Sequence, residues 1–325
     1  MSGQSLLNIM ADGAYHSGEE LGELLGVSRT AVWKQIKKLE VSGLNIESIK
    51  GRGYRIPNGM DLLSQSVLIS SLDRSVKEAL DDIDVMAVVD STNSVAMSRA
   101  QAGMRSYLCT AEQQTEGRGR RGRVWQSPFG RNLYFSLVWT FEGGACVLEG
   151  LSLAVSVAVV GALNAMGVEG LRVKWPNDIL FEDKKLAGIL LEMTGDAEGP
   201  CKLVVGVGIN ISMLQSDAQE IDQPWVNLDD ISSGLPKRSE VLGAIINALV
   251  PLLSSYEGLG FSAYRDVYLS LDAYKGRPVY IKQGARVVIG RSAGVDDTGA
   301  LLMATDQGLQ VFTGGEISLR RLNDS

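Results

Sequence analysis

The chain has 325 residues with a net charge of −7, 45% hydrophobic and 21% charged, proportions that exclude a disordered, collagenous or membrane-embedded chain and leave material for two or three domains. No uninterrupted apolar run reaches the ~18 residues of a bilayer span; the nearest, 151–165, is broken by Ser152, Ser156, Gly161 and Asn164. The first residues also lack the basic start and apolar stretch of a signal peptide, so the expectation is a cytoplasmic protein with no membrane partner.

Residues 1–57 carry seven Lys or Arg against six Asp or Glu, so the acidic excess falls in the rest of the chain. A short apolar helix is expected around Leu6, Leu7, Ile9 and Met10. Two further helices then flank a tight turn at Gly26-Val27. Ser17 and Glu20 have the spacing of a capping box for the first, and Ser28 can cap the second. Val32, Ile36 and Leu39 fall on one face of that second helix. Ser28, Arg29, Thr30, Lys34, Gln35, Lys37 and Lys38 are left largely outward, a set able to reach base edges and phosphates. Residues 46–49 and 54–56 alternate around Lys50-Gly51-Arg52-Gly53, a hairpin with a basic tip. The whole reads as a winged helix-turn-helix, with a small packing unit bearing a solvated basic face as the alternative. The DNA-binding residues expected are Ser28, Arg29, Thr30, Lys34, Gln35, Lys38 and Arg52. A charge near zero implies weak non-specific affinity, so specific binding would need a dimer on paired half-sites.

Pro57-Asn58-Gly59 closes this unit. A helical stretch over 62–80 leads to a strand at 84–89, followed by Asp90-Ser91-Thr92-Asn93. These short polar residues can cap the helix expected at 95–101 or face a ligand at the strand's end. Residues 117–125, GRGRRGRVW, satisfy G-x-G-x-x-G formally, yet arginines fill the gaps and no helical periodicity follows, which excludes a dinucleotide fingerprint. No Gly-Lys-Ser/Thr is present for a P-loop. Four arginines among three glycines describe a cationic loop that is mobile alone and closes on a polyphosphate; a nucleic-acid patch is the alternative. A strand at 132–140, a helix at 148–166 and a strand at 171–178 ending in Lys174-Trp175-Pro176-Asn177-Asp178 come next. A hairpin pairs 179–182 with 185–192 around Asp183-Lys184, and its Ala187 and Gly188 leave room for a close approach. An apolar strand, 203–210, ends in Asn210. Helices at 239–256 and 261–271 precede short strands at 279–282, 285–289, 292–295, 300–304 and 308–313, suggesting a small barrel of SH3-like type.

Cys109, Cys146 and Cys201 are widely spaced and odd in number, against a disulfide framework or zinc site, and are expected in the core. His16 is the sole histidine and remote from the other motifs, so the chemistry must do without imidazole.

GRGRRGRVW, KWPND (174–178), KLAGIL (185–190) and GVGIN (206–210), in this order and spacing, resemble the biotin protein ligases. With the winged helix in front, the chain resembles the bacterial bifunctional ligase/repressors over nearly its whole length. The resemblance implies an α+β protein in three parts: a winged helix-turn-helix over 1–60, a mixed-sheet α/β catalytic domain of the biotin/lipoate ligase type over 61–272, and an SH3-like β-barrel over 273–325. It implies that biotin's carboxylate attacks the α-phosphate of ATP, giving biotinyl-5'-AMP and pyrophosphate. A lysine of the biotin carboxyl carrier protein of acetyl-CoA carboxylase then takes the biotinyl group.

By the same resemblance, biotin is held by Ser91, Thr92, Asn93, Gln114, Arg118, Gly119, Arg120 and Lys185. The catalytic residues are Arg118, Arg120 and Lys185, and the nucleotide contacts are Arg121, Arg123, Asn177, Asn210 and Trp225, the last stacking on adenine. Hydroxyls and amides suit biotin's neutral ureido ring, and a compact ammonium at Lys185 would let two anions meet. Asp178 would orient Lys174 or accept a proton. Lys174 reads first as part of a surface salt bridge, and Arg320, a candidate nucleotide contact, reads first as a surface charge. Mg2+ would arrive on ATP, with no protein metal site. Biotin would act as co-repressor through its adenylate, which drives homodimerisation on operator DNA of biotin synthesis genes. A sensor on an inactive ligase scaffold and a lipoate or octanoate transferase are the alternatives, the first opposed by the intact Arg118, Arg120, Lys185 and KWPND set and the second by the arginine loop.

Overall fold

Three helices and a hairpin form at the N-terminus: α1 (Ser2–Met10), α2 (Gly18–Leu25), α3 (Arg29–Val41), β1 (Glu47–Ile49) and β2 (Gly53–Arg55). The computed structural model describes residues 2–41, 43–195, 199–283, 286–313 and 317–321. The capping box is realised: Ser17 Oγ accepts from Glu20 N at 3.0 Å, and Ser17 N donates to Glu20 Oε2 at 3.2 Å. Gly26 ends α2 in the left-handed region, and Ala31 N donates to Ser28 Oγ at the start of α3. His16 exchanges two 2.9 Å backbone hydrogen bonds with Tyr54, adding a third extended segment to the hairpin. Gly53 has φ +106°, and a Cβ there would lie 2.0 Å from the His16 carbonyl oxygen, so only glycine fits. Leu6, Leu7, Met10, Leu21, Val32, Ile36, Leu44, Ile46 and Ile56 form the core, joined by Phe129 from outside the unit.

The helical stretch expected over 62–80 is two helices, α4 (Gln65–Ser71) and α5 (Arg74–Ala79). The break at Leu72 and Asp73 has a partner. Asn247 accepts from Asp73 N at 2.9 Å and donates to Ser71 O at 3.0 Å, replacing helical hydrogen bonds with tertiary ones.

The central sheet comprises β3 (Asp82–Val89), β4 (Ser106–Gln114), β5 (Leu133–Phe141), β6 (Leu171–Lys174), β7 (Asp178–Phe181), β8 (Lys184–Gly195) and β9 (Cys201–Ile209). Their order is β3-β4-β5-β9-β8-β7-β6, with β3 and β4 parallel and every other neighbour antiparallel. The turn between β7 and β8 sits one residue earlier than expected, on Glu182 and Asp183, both with positive φ, so that Lys184 already belongs to β8. One face of the sheet is covered by α7 (Leu151–Ala165), α9 (Arg238–Leu259) and α10 (Ser262–Leu271). The other carries α6 (Thr92–Gln101) over Tyr107, Cys109, Val138 and Val204. A short α8 (Leu228–Ile231) follows β9. Among the described residues α9, not the 151–165 segment, has the length and apolarity of a membrane span. It is a core helix packed on α7 and α4, with 56% of its most apolar window buried.

The C-terminal strands β10 (Pro278–Gln283), β11 (Arg286–Val295), β12 (Leu301–Thr305), β13 (Gly308–Phe312) and β14 (Ile317–Arg321) form an antiparallel sheet, ordered β13-β12-β11-β10-β14. The strands expected at 285–289 and 292–295 are one, β11, bulged opposite β12 between Ser292 and Gly294; residue 285 lies outside the described residues. β14, which sequence periodicity did not suggest, pairs with β10. The inner face, with Val279, Ile281, Val295, Leu301, Met303 and Leu319, shares the core of the central sheet. Cys109 and Cys201 are buried as expected, whereas Cys146 is exposed, because it lies in a surface 3-10 turn after β5.

Where the N-terminal unit meets the central one, Arg238 is 4% exposed. Its Nη2 donates to Glu112 Oε2 at 2.7 Å and to the Asp61 carbonyl, and its Nη1 donates to Asn132 O at 2.8 Å. Glu112 in turn accepts from Leu63 N. The linker residues 61–63 are thus held by a buried, hydrogen-bonded ion pair.

Candidate active site and DNA-reading surface

The ends of β3, β4 and β6 and the face of β8 and β9 enclose a cavity of about 610 Å3. Into it the structure brings Ser91, Thr92, Asn93, Gln114, Arg118, Gly119, Arg120, Arg121, Arg123, Asn177 and Lys185, together with Lys174, Asp178 and Arg320. Arg320 therefore faces this cavity, half-buried, rather than lying on the open surface, because β14 carries it there.

Ser91 precedes α6 but makes no side-chain cap, so the capping explanation of residues 90–93 gives way to a buried polar network. Gln114 Oε1 accepts from Thr92 N at 2.8 Å and from Thr92 Oγ1 at 3.0 Å. Ser136 Oγ bridges Thr92 Oγ1 and Asn93 Oδ1 at 2.8 and 2.6 Å. Asn93 Nδ2 donates to Glu192 Oε2 at 2.7 Å, which also accepts from Arg118 Nη2 at 3.0 Å. Gly206 makes this possible, since a Cβ on it would lie 2.0 Å from Asn93 Oδ1. Ser136 and Glu192 had no motif around them in the sequence; only a polar residue inside an otherwise apolar strand could have marked them.

The cationic loop is a hairpin in which Gly119 N donates to Arg123 O at 2.7 Å and Trp125 N to Gly117 O at 2.9 Å. Arg121 and Gly122 have φ of +62° and +71° at its tip. Arg120 Nη1 donates to Asn177 Oδ1 at 3.2 Å, while Arg121 and Arg123 are exposed. Burial, then repulsion from Arg121, lower the Arg120 pKa against the pull of Asp178. The close approach anticipated at Gly188 is made by Trp125. Its ring would crowd a Cβ on Gly188 at 3.1 Å and on Gly208 at 2.5 Å, and its Nε1 has no hydrogen-bond partner among the described residues.

Lys185 Nζ lies 2.7 Å from Asp178 Oδ1 and 5.3 Å from the Trp125 ring centroid. Lys174 is half-buried in the cavity wall rather than on the surface, its Nζ 3.9 Å from Asp178 Oδ2 and 5.8 Å from the Tyr274 ring. Burial alone would raise the Asp178 pKa; the Lys185 ammonium, then Lys174 and Arg120, outweigh it and hold the carboxyl below the usual range. Trp175 Nε1 donates to Gly299 O at 3.1 Å, tying KWPND to the C-terminal sheet. Asn210 and Trp225 line an adjoining cavity of about 290 Å3 with Arg123, Trp125 and Lys185. Asn210 Nδ2 donates to Lys185 O. Among the described residues no group of three or more His, Cys, Asp or Glu is placed to hold a metal ion.

On the N-terminal unit, Ser28, Arg29, Thr30, Lys34 and Lys38 are exposed on α3 and its cap, as is Arg52 at the hairpin tip, 5.7 Å from the Tyr15 ring. Gln35 departs from the outward set. Helical register puts it beside Val32, Ile36 and Leu39, half-buried, with Oε1 unpaired among the described residues. Trp33, 48% exposed on α3, is an outward residue that base-reading residue types alone do not flag.

A mixed sheet with a cationic loop closing over it, behind a winged helix and ahead of a small β-sheet, defines a ligase-type scaffold joined to a DNA-reading unit. Residues 85–210 match the Biotin/lipoate A/B protein ligase family, 4–55 an HTH domain and 275–320 the Biotin protein ligase C terminal domain. The chain is 39% identical to the bifunctional ligase/repressor BirA of Salmonella typhimurium over 97% of each chain. It is 38% identical to that of Escherichia coli over 97% of this chain and 96% of the other. A biotin protein ligase from Aquifex aeolicus, solved in complex with biotin and ATP, superposes with a TM-score of 0.64 at 30% identity, covering 74% of this chain and all of that one. The chain belongs to the bifunctional ligase/repressor family.

Proposed function

We propose that this protein is an ATP-dependent biotin protein ligase that also represses biotin synthesis genes in response to biotin. The observation that carries the catalytic half is Lys185. A half-buried ammonium, fixed by Asp178 and backed by Trp125, faces the same cavity as the Thr92, Asn93 and Gln114 network and the arginine hairpin. In this reading Ser91, Thr92, Asn93 and Gln114 hold the ureido end of biotin, with Gly119 giving the backbone room to approach. Lys185, Arg118 and Arg120 neutralise the biotin carboxylate and the α-phosphate, so that carboxylate oxygen bonds to phosphorus while pyrophosphate leaves. Arg121 and Arg123 grip the departing phosphates, and Mg2+ arrives with the triphosphate. Asn177 positions Arg120, Asn210 supports the Lys185 backbone, and Trp225 offers its ring to adenine.

In the second half-reaction, a neutral lysine amine of the carrier protein attacks the acyl carbon, the acyl–phosphate C–O bond breaks as AMP leaves, and the amine gives up its proton to solvent water. Asp178, its acidity strengthened by three cations, suits orienting Lys185 and Lys174 better than accepting that proton. The carrier is the biotin carboxyl carrier protein of acetyl-CoA carboxylase. Ser28, Arg29, Thr30, Lys34, Lys38 and Arg52 meet operator DNA, and adenylate-driven homodimerisation sets two such units on paired half-sites. The units divide at 60/61 and 272/273, and the protein works in the cytoplasm.

The test is transfer of labelled biotin to an apo carrier domain with ATP and Mg2+. Lys185→Ala should lower the rate about a hundred- to a thousandfold. Wild-type protein that binds biotin without any transfer would leave a sensor in place of a ligase.

A further inference from the structure

Outside the ligase cavity, the surface that most needs an explanation is the outward side of α3. Its two fully buried apolar residues, Val32 and Ile36, point inward. Against that, Trp33 leaves nearly half of its side chain in water. The ring lies one turn after Arg29 and one turn before Lys37, beside Lys34, all of them exposed. Lys50 and Arg52 on the hairpin tip are exposed too. Glu19 and Glu40 are the acidic side chains ion-paired with this stripe, to Arg29 and Lys37. An exposed aromatic fenced by cations on a helix-turn-helix second helix has an occupant of matching chemistry: a polyanion whose groove floor is apolar at intervals. The major groove of DNA is such a surface, because phosphates line its rims and thymine 5-methyl groups project into it.

We infer that Trp33 is a specificity-determining residue that reads a thymine by packing its indole against the 5-methyl group, while Arg29, Lys34 and Lys37 hold the flanking phosphates. The inference rests on the DNA-binding reading above and deepens it. Trp33 brings no charge, so its contribution is to sequence choice and not to the salt dependence that phosphate contacts create.

The experiment uses the full-length protein with biotin, ATP and Mg2+. Sites are selected from random-sequence duplexes, and each thymine of the selected site is then replaced in turn by deoxyuridine, which lacks only the methyl. Wild-type affinity should fall roughly tenfold at one or more of these positions. Trp33→Ala should have lost about that factor already and be indifferent to uracil at the same positions, with an unchanged slope of log affinity against log salt. Trp33→Phe, which keeps a ring in a helix, should retain the uracil sensitivity, and Lys34→Ala should flatten the salt slope instead. Equal affinity of Trp33→Ala and wild type, or no thymine at which methyl loss and Trp33 loss are coupled, would overturn the inference while leaving DNA binding intact. Failure of the wild-type protein to select any sequence would remove the DNA-binding reading itself, and this one with it.

Discussion

Arg118 is held at 3.0 Å from Glu192, which also holds Asn93, so one carboxylate ties the cationic hairpin to the polar network of α6. Arg118→Gly cuts that tie and adds backbone freedom to a loop that already has three glycines. Biotinyl-AMP should then escape into solution, visible as free adenylate on thin-layer chromatography of a reaction without carrier; retention equal to wild type would show that hairpin closure does not guard the intermediate. His16 supplies a pH prediction. Burial lowers its pKa, but hydrogen bonds to Asp12 at 3.1 Å and Glu20 at 3.2 Å outweigh this and raise it above its ordinary value of 6.5. The folded state therefore binds the proton more tightly. The stabilisation is full below pH 6.5 and is lost as pH rises through the folded value. Thermal melting of wild type should drop more between pH 6 and pH 8 than that of His16→Gln, and parallel profiles would refute the linkage.

Elements were legible in the sequence wherever local chemistry decided them. The Ser17–Glu20 capping box, the Gly26 turn and the apolar β9 all follow from residues close in the chain. What escaped was decided by distant partners. Residues 62–80 are broken by Asn247, β14 is made a strand by β10, and Gln35 faces inward because α3 buries a slightly wider stripe than its aliphatic residues mark. The site divides in the same way, since the arginine hairpin and KWPND announced themselves while Ser136, Glu192 and the Trp125 floor became visible only once the strands were paired. The start of α9 illustrates the energetic side of this. Arg238 belongs to no motif in the sequence, yet it is buried against Glu112 and the Asp61 carbonyl. Arg238→Met leaves Glu112 an unpaired buried carboxylate and should cost about 3–5 kcal/mol by denaturant unfolding. Adding Glu112→Leu should recover a large part of that loss, and a double variant no more stable than the single one would refute the pairing.

Across the whole molecule, the three units share more than a chain. The C-terminal sheet belongs to the central core and fastens Trp175 through Gly299, and the N-terminal core includes Phe129 from the central unit. Removing residues 1–57 should abolish sequence-specific DNA binding in a fluorescence-anisotropy titration. It should also strip the cover from Phe129 and leave the remainder more prone to associate, measurable by light scattering; full DNA affinity in the truncated protein would contradict the winged-helix assignment.

Phe129 lies only four positions beyond Trp125, and Gly130 is pressed against Met60 so closely that a Cβ on it would meet the sulfur at 2.5 Å. The chain that runs on from the cationic hairpin is therefore anchored at its far end in the N-terminal unit. Free-energy coupling of this kind has no preferred direction. In the reading proposed above, whatever factor the bound adenylate adds to operator affinity, the operator must add to adenylate affinity, so that a protein seated on DNA binds its reactive intermediate more tightly at equilibrium than one that is free to meet the carrier.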